Sequence, residues 1–262
     1  MRFGEGLGTR PVPRPTLVAY FMVDRARRRS FRRLAIAARD AGADALELGF
    51  PFSDPIADGP VLQGVADRAL HHGTTWRDLL DAVSDTSPIL PTAVMTYANP
   101  VWRRGLDRGI LDLRRAGAGG LIVPDLPLEE AQPWKRSAEK AGVDLIMLAA
   151  PGANAARARS LAKASSGFLY LVARYGTTGT AGGMASGLGA IVRAAHAAVP
   201  RLPVIIGFGI HDGPSARRAL RTGADGVVVA TALEEALGRS HSVTTVKSVL
   251  RPIRRALIEP SG

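Results

Sequence analysis

Cysteine is absent from this chain, which removes disulfides and thiol chemistry and is compatible with a reducing compartment. Lysine is scarce: Lys135, Lys140, Lys163 and Lys247 are all there is, and none ends a strand-like run, so a Schiff-base mechanism has no candidate. Of the histidines, His71, His72, His196, His211 and His241, only His211 follows such a run. A catalytic metal usually takes about three protein ligands, so no metal is expected, and His71-His72 reads as a polar helix end. No apolar run reaches the roughly 18 residues of a membrane helix. The opening MRFGEGLGTRPVPRP lacks a secretory apolar stretch, and a cytoplasmic chain is expected. No Ser-His-Asp arrangement is indicated.

Arginine is what the chain has in excess. Lysine and arginine together number 34 against 23 acids, a formal charge of +11. Nucleic-acid binding would gather such residues on one face of a recognisable module. Here they are spread over helix-like segments, with one cluster, RARRRSFRR, at 25–33. They read as solvated helix faces whose field helps to attract an anionic substrate, with no nucleic acid involved. A hydrophobic share of 46% with 22% charged residues suits a globular chain with a substantial core.

Eight short apolar runs punctuate the sequence, at 16–23, 45–49, 92–97, 120–124, 144–150, 168–173, 203–209 and 226–231. Stretches with helical spacing separate them, several ending in an Ala-Gly or Thr-Gly pair suited to a glycine C-cap. Continuous apolar strands alternating with helices imply a parallel sheet, and eight such units imply an α/β chain of the (β/α)8 barrel type. One domain over 1–262 is expected, with a short irregular segment at about 1–15. Two strand-to-strand intervals are long, after the second strand (45 to 92) and after the sixth (168 to 204). Barrel enzymes place their chemistry in the loops that follow strands. The sixth-strand segment, ARYGTTGTAGGMASG, suits a mobile lid, and a plain surface loop is the alternative.

The second-strand segment, LELGFPFSDPIADGP at 46–60, carries two acids on one connection: Glu47 ends the strand and Asp58 follows eleven residues later. Carboxylates in different environments make a general acid/base pair; the bland alternative is a strand-end Glu and an ordinary loop Asp. At the opposite side, Gly207-Phe208-Gly209 follows strand seven and Ala230-Thr231 opens the helix after strand eight, where barrels often bind phosphate. Gly179 of the sixth loop can close the same pocket. An acid/base reaction on a phosphorylated substrate, without cofactor, is the reading.

LELGFPFSDPIADGP, MTYANPVW (95–102), GLIVPDLPLEE (120–130), YLVARYGTTG (170–179), PVIIGFGI (203–210) and GADGVVVAT (223–231) together resemble the tryptophan synthase alpha subunit in order, spacing and site residues. The resemblance implies a barrel lyase that splits indole-3-glycerol phosphate into indole and glyceraldehyde 3-phosphate, without cofactor, beside a beta subunit in a complex of two alpha and two beta chains. It assigns Glu47 as the general acid at the indole ring carbon and Asp58 as the partner of the indole N–H. Tyr170, Thr178 and Phe208 fall beside the indole or its covering loop, and Gly179, Gly209, Ala230 and Thr231 near the phosphate. Tyr97 and Asn99 belong to the third-strand segment that faces the site. Asp125 matches an aspartate at the partner-facing rim, or else is a helix N-cap.

The chain departs from the family at the end of strand one, where a Thr-x-Gly-Asp-Pro turn is replaced by Met22-Val23-Asp24-Arg25-Ala26. Ala230-Thr231 stands for the usual Gly-Ser, and the leading helix is expected to be shortened or absent. Rival readings are a phosphosugar isomerase on the same scaffold, a non-catalytic barrel partner, and a stand-alone lyase supplying indole to secondary metabolism.

Overall fold

The computed structural model describes residues 1–12, 14–173, 187–240 and 242–259, the side chains of 239 and 240 excepted. Its strands are β1 (Thr16–Met22), β2 (Ala45–Gly49), β3 (Thr92–Met95), β4 (Gly120–Ile122), β5 (Asp144–Ile146), β6 (Leu148–Ala149), β7 (Leu169–Val172), β8 (Val204–Gly207) and β9 (Gly226–Val229). All observed pairings are parallel, in the order β5-β4-β3-β2-β1-β9-β8-β7-β6. The expected fifth strand is therefore two short strands interrupted at Met147. Its first half pairs back to β4 and its second half forward to β7, so this position completes the barrel. The second expected strand keeps its bounds; the others lie where the apolar runs put them, one or two residues shorter at their C-terminal ends, with β7 and β8 also starting one residue later.

Alternation along each strand sorts the side chains. In β1, Leu17, Ala19 and Phe21 face the helices, whereas Val18, Tyr20 and Met22 join the core inside the barrel. The same parity sends Leu46 and Leu48 of β2 outward, which obliges Glu47 between them to point in. Tyr170 faces inward from β7, and Gly207 provides its room: a Cβ there would collide with the Tyr170 ring and hydroxyl.

The connections match the long intervals. Between β2 and β3 run α3 (Pro60–His71) and α4 (Trp76–Thr86), after α1 (Phe3–Leu7) and α2 (Phe31–Asp40) earlier in the chain. Next come α5 (Ala98–Trp102), α6 (Leu106–Ala116), α7 (Ala131–Ala141), α8 (Ala155–Ala164), α9 (Leu188–Ala198), α10 (Gly213–Leu220), α11 (Thr231–Ser240) and α12 (Thr244–Ile258). The glycine caps expected from sequence are present at Gly117 and Gly142, both left-handed, after α6 and α7.

The leading segment is not wholly irregular. It folds into the short α1, which sets Phe3 against Phe168 at the bottom of the barrel, with the Phe3 N–H donating to Gly119 O. Aspartates at strand starts gather arginines on this same face: Arg10 pairs with Asp225 at 2.8 Å, and Arg14 at 2.7 Å and Arg254 both pair with Asp44. Part of the arginine excess thus fastens helices and termini to the barrel floor, away from the strand C-termini. No helix among the described residues is long and apolar enough to cross a membrane.

Filling the space at Gly207 should be costly. Gly207→Ala is expected to lower stability by about 1–3 kcal/mol in urea denaturation, as overpacked cores do; an unchanged midpoint would mean that the Tyr170 ring has room to withdraw.

Candidate active site

At the C-terminal end of the strands lies a narrow cavity, lined on one side by Glu47, Asp58 and Tyr170 and on the other by Phe208, Gly209, Ala230 and Thr231. The expected catalytic and substrate-binding residues among those described therefore meet in one place, whereas Asn99 lines a separate groove with Phe50 and Trp76. Thr178 and Gly179, assigned to the covering loop, lie outside the described residues.

Glu47 is 1% exposed, and neither of its carboxyl oxygens has a hydrogen-bond partner. Burial, and then the Asp58 charge, pushes its pKa up to about 8. At neutral pH this is an un-ionised acid with a proton to give. Asp58 is also buried, and desolvation raises it only to about 6, because the Tyr97 hydroxyl donates to its Oδ2 at 3.2 Å and favours the charged form. Two carboxyls, one within β2 and one on the loop that follows it, are thus driven to opposite protonation states at pH 7 by burial and by one phenol.

Tyr97 fixes more than that charge. Its hydroxyl also accepts the Ala57 N–H at 3.0 Å, and its ring stacks on Phe52 with centroids 5.0 Å apart. The Asp58 carbonyl accepts from Gln63 Nε2 at 2.8 Å, and Gly59 and Pro60 then start α3. The loop is held at both sides of Asp58, while Ile56 at its crest is 78% exposed.

Across the cavity the chain leaves β8 through Phe208 and Gly209, with φ 72° and 78°. Phe208 is the one non-glycine residue at positive φ among those described, a conformation that stores roughly 1–3 kcal/mol of strain and typically marks functional turns. It brings the Phe208 ring edge-on to Tyr170 at 6.1 Å. Thr231 opens α11, where the first backbone N–H groups have no intrahelical acceptor and the helix dipole favours an anion. The cavity therefore has an acid/base half, an aromatic middle and an anion-accepting end.

A model of the tryptophan synthase alpha chain family matches residues 10–253. The chain belongs to that family. It is 40% identical over 228 residues to the tryptophan synthase alpha chain of Synechococcus elongatus, covering 86% of this chain and 85% of that one. Against the Methanosarcina acetivorans alpha chain the figures are 35% over 243 residues, covering 92% and 88%. A structure of Mycobacterium tuberculosis tryptophan synthase superposes with a TM-score of 0.83 at 32% identity over 93% of each chain. A chain of the Pyrococcus furiosus tryptophan synthase complex does so with 0.83 at 30% identity, over 92% of this chain and 99% of that one.

Tyr20, Met95 and Val228 also line the cavity and were not singled out from sequence. The signal was available: each holds an inward parity position on its strand. Asp125 caps a helix, but not its own: its Oδ1 accepts the Ala98 N–H at the start of α5, at 2.9 Å, tying the rims of β3 and β4 together. His72 closes α3 and pairs through Nδ1 with Asp24 at 2.9 Å. His211 lies over the Gly209 carbonyl. No group of three or more metal-binding side chains occurs among the described residues.

The raised carboxyls have a signature in stability. An acid whose folded pKa exceeds its unfolded value binds more protons in the native state, so stability falls as pH rises between the two values. For Glu47 the window runs from 4.5 to about 8, and for Asp58 from 3.8 to about 6. Glu47→Gln removes the first component. Its stability relative to wild type should rise by roughly 5 kcal/mol between acid pH and pH above 8, read by urea denaturation. A difference that does not change with pH would show that Glu47 titrates normally.

Proposed function

We propose that this chain cleaves indole-3-glycerol phosphate to indole and glyceraldehyde 3-phosphate, as the alpha chain of tryptophan synthase in L-tryptophan biosynthesis. The observation that carries the reading is the inward, unbonded carboxyl of Glu47, raised to about 8, in one cavity with an Asp58 kept more acidic by Tyr97. Family membership supports the choice of substrate.

The reaction must break the bond between the indole ring carbon and the glycerol chain. Glu47 gives its proton to that ring carbon, which makes the ring an electron acceptor. Asp58 accepts the indole N–H and stabilises the positive charge that develops there. The Glu47 carboxylate then takes the proton of the adjacent glycerol hydroxyl, the carbonyl forms, the carbon–carbon bond breaks and its electrons restore the aromatic ring. Protons balance: one enters at carbon and one leaves the hydroxyl, both through Glu47. Tyr170 and Phe208 flank the indole, and Gly209, Ala230 and Thr231 receive the phosphate; the resemblance adds Thr178 and Gly179, which lie outside the described residues.

The partner is a tryptophan synthase beta chain, and the setting is the cytoplasm. The Pyrococcus furiosus relative is described as a complex with mutual activation. In this chain Asp54, Pro55 and the exposed Ile56 form the crest of the very loop that carries Asp58, so a partner seated there can act directly on the acid/base geometry.

Glu47→Gln should cut indole release by about 10²–10⁴-fold while phosphate-ligand affinity is kept. Asp58→Asn should also cripple the reaction; a loss below threefold for either would remove it from the mechanism. Adding a beta chain should raise the lyase rate and yield co-elution on a sizing column, and Pro55→Ala should blunt that rise more than the basal rate. No complex, together with a high rate for the chain alone, would favour the stand-alone lyase, which the altered first-strand turn also suits.

A further inference from the structure

The altered turn after β1 is fastened by a charge pair that the family resemblance did not supply. β1 outruns its neighbour β9: their last paired residues are Ala19 and Val229, which leaves the Met22 N–H beyond the ladder. Glu234, in the first turn of α11, supplies the missing acceptor, its Oε1 taking the Met22 N–H at 2.8 Å. Its other oxygen takes Arg27 Nη1 at 2.7 Å. The Glu234 carboxylate is fully buried and Arg27 is only 19% exposed, so each ion is largely cut off from water. Arg27 belongs to the 3-10 turn Arg25–Ser30, which Asp24 starts by accepting the Ala26 N–H.

This pair joins two elements that wall the cavity, β1 through the Met22 N–H and α11 through Glu234. Tyr20, two residues before Met22, lines the cavity and is in register with Glu47. Its phenol is raised by burial first, and then by the charges of Asp58, Glu234 and Glu47. Glu234 is thus a third carboxylate within electrical reach of the cavity wall, and it lies on the same helical turn whose N-terminal end, Thr231, is read above as the phosphate end. A buried anion there opposes the binding of a second anion unless a cation neutralises it.

We infer that Arg27 is a positioning residue for phosphate binding: by neutralising and holding Glu234 it lets the N-terminus of α11 accept the substrate's anionic group, and it fixes the end of β1 in place of the family's usual turn. This rests on the proposed phosphate site at Gly209 and Thr231.

The test is calorimetric titration with two probes, glycerol 3-phosphate (charged) and indole (neutral), against Arg27→Ala, Arg27→Lys, Glu234→Gln and the double variant Arg27→Ala/Glu234→Gln. Arg27→Ala should weaken glycerol 3-phosphate on the order of tenfold and indole by much less, because the effect is one of charge. Arg27→Lys should keep most of the affinity. The double variant, in which a neutral amide still accepts the Met22 N–H, should bind glycerol 3-phosphate within about threefold of wild type. Equal weakening of both probes, or no rescue in the double variant, would overturn the inference and leave the pair a purely structural clamp. If Arg27→Ala does not fold, Arg27→Lys and the double variant decide: a double variant that folds and binds glycerol 3-phosphate poorly overturns it. Gly209→Asp separates the two readings. If it leaves glycerol 3-phosphate binding intact, the phosphate site itself is wrong; if it abolishes binding while Arg27→Ala is silent, only the role of Arg27 fails.

Discussion

A carboxyl group turned into the barrel with nothing to bond to is the constraint around which this structure is arranged. Leu46 and Leu48 must face the helices, so strand parity gives Glu47 no other direction. Burying an ionised carboxylate without partners is prohibitively costly, and the group responds by holding its proton. The apolar packing that stabilises the barrel thereby sets the acid that the proposed chemistry needs. Asp58 is kept different by a single hydroxyl, because Tyr97 reaches it from the next strand's end. The distinction between acid and anion arises from which neighbour each carboxyl was given.

Much of this was legible in the chain. The apolar runs give the strands because parallel strands covered on both faces need little polar residue, and Glu47 stands out because it interrupts one. The far wall of the cavity was legible for a different reason: the Gly207-Phe208-Gly209 turn and the Thr231 hydroxyl follow the last two apolar runs, at the strand C-termini where barrels place their sites. The break at Met147 was not legible. A strand that pairs back with its first half and forward with its second reads as one apolar run, since both halves are buried. Asp125 was recognised as a cap candidate, but capping across loops depends on which rims are adjacent, and the sequence does not order loops in space. Tyr20 belongs to no motif, and only its inward parity on β1 connects it with the cavity.

The arginine excess divides by place. On the barrel floor, arginines are partners for aspartates at strand starts, where they tie α12 and the N-terminal segment to the sheet. At the upper rim, Arg27 meets a buried glutamate on the helix that opens the anion end. Elsewhere they coat helices, as in α6 and α10. One composition thus reflects a clamp, a charge compensator and a solvated face, which explains why net charge alone suggested so little about partners.

The same features weigh against a barrel retained only as a docking scaffold. A scaffold would gain by replacing Glu47 with an apolar residue: the cavity would close, no desolvation penalty would remain, and stability would no longer fall as pH rises through the carboxyl's range. It would equally gain from glycine in place of Phe208, which holds a left-handed backbone that costs a bulky residue. Both liabilities sit on the same cavity and both make sense if the cavity must hold an aromatic ring against a proton donor. Neither contributes to the crest at Asp54 to Ile56, where a partner would sit. The penalties fall where bonds would be broken, and a surface made only to be held has no use for them.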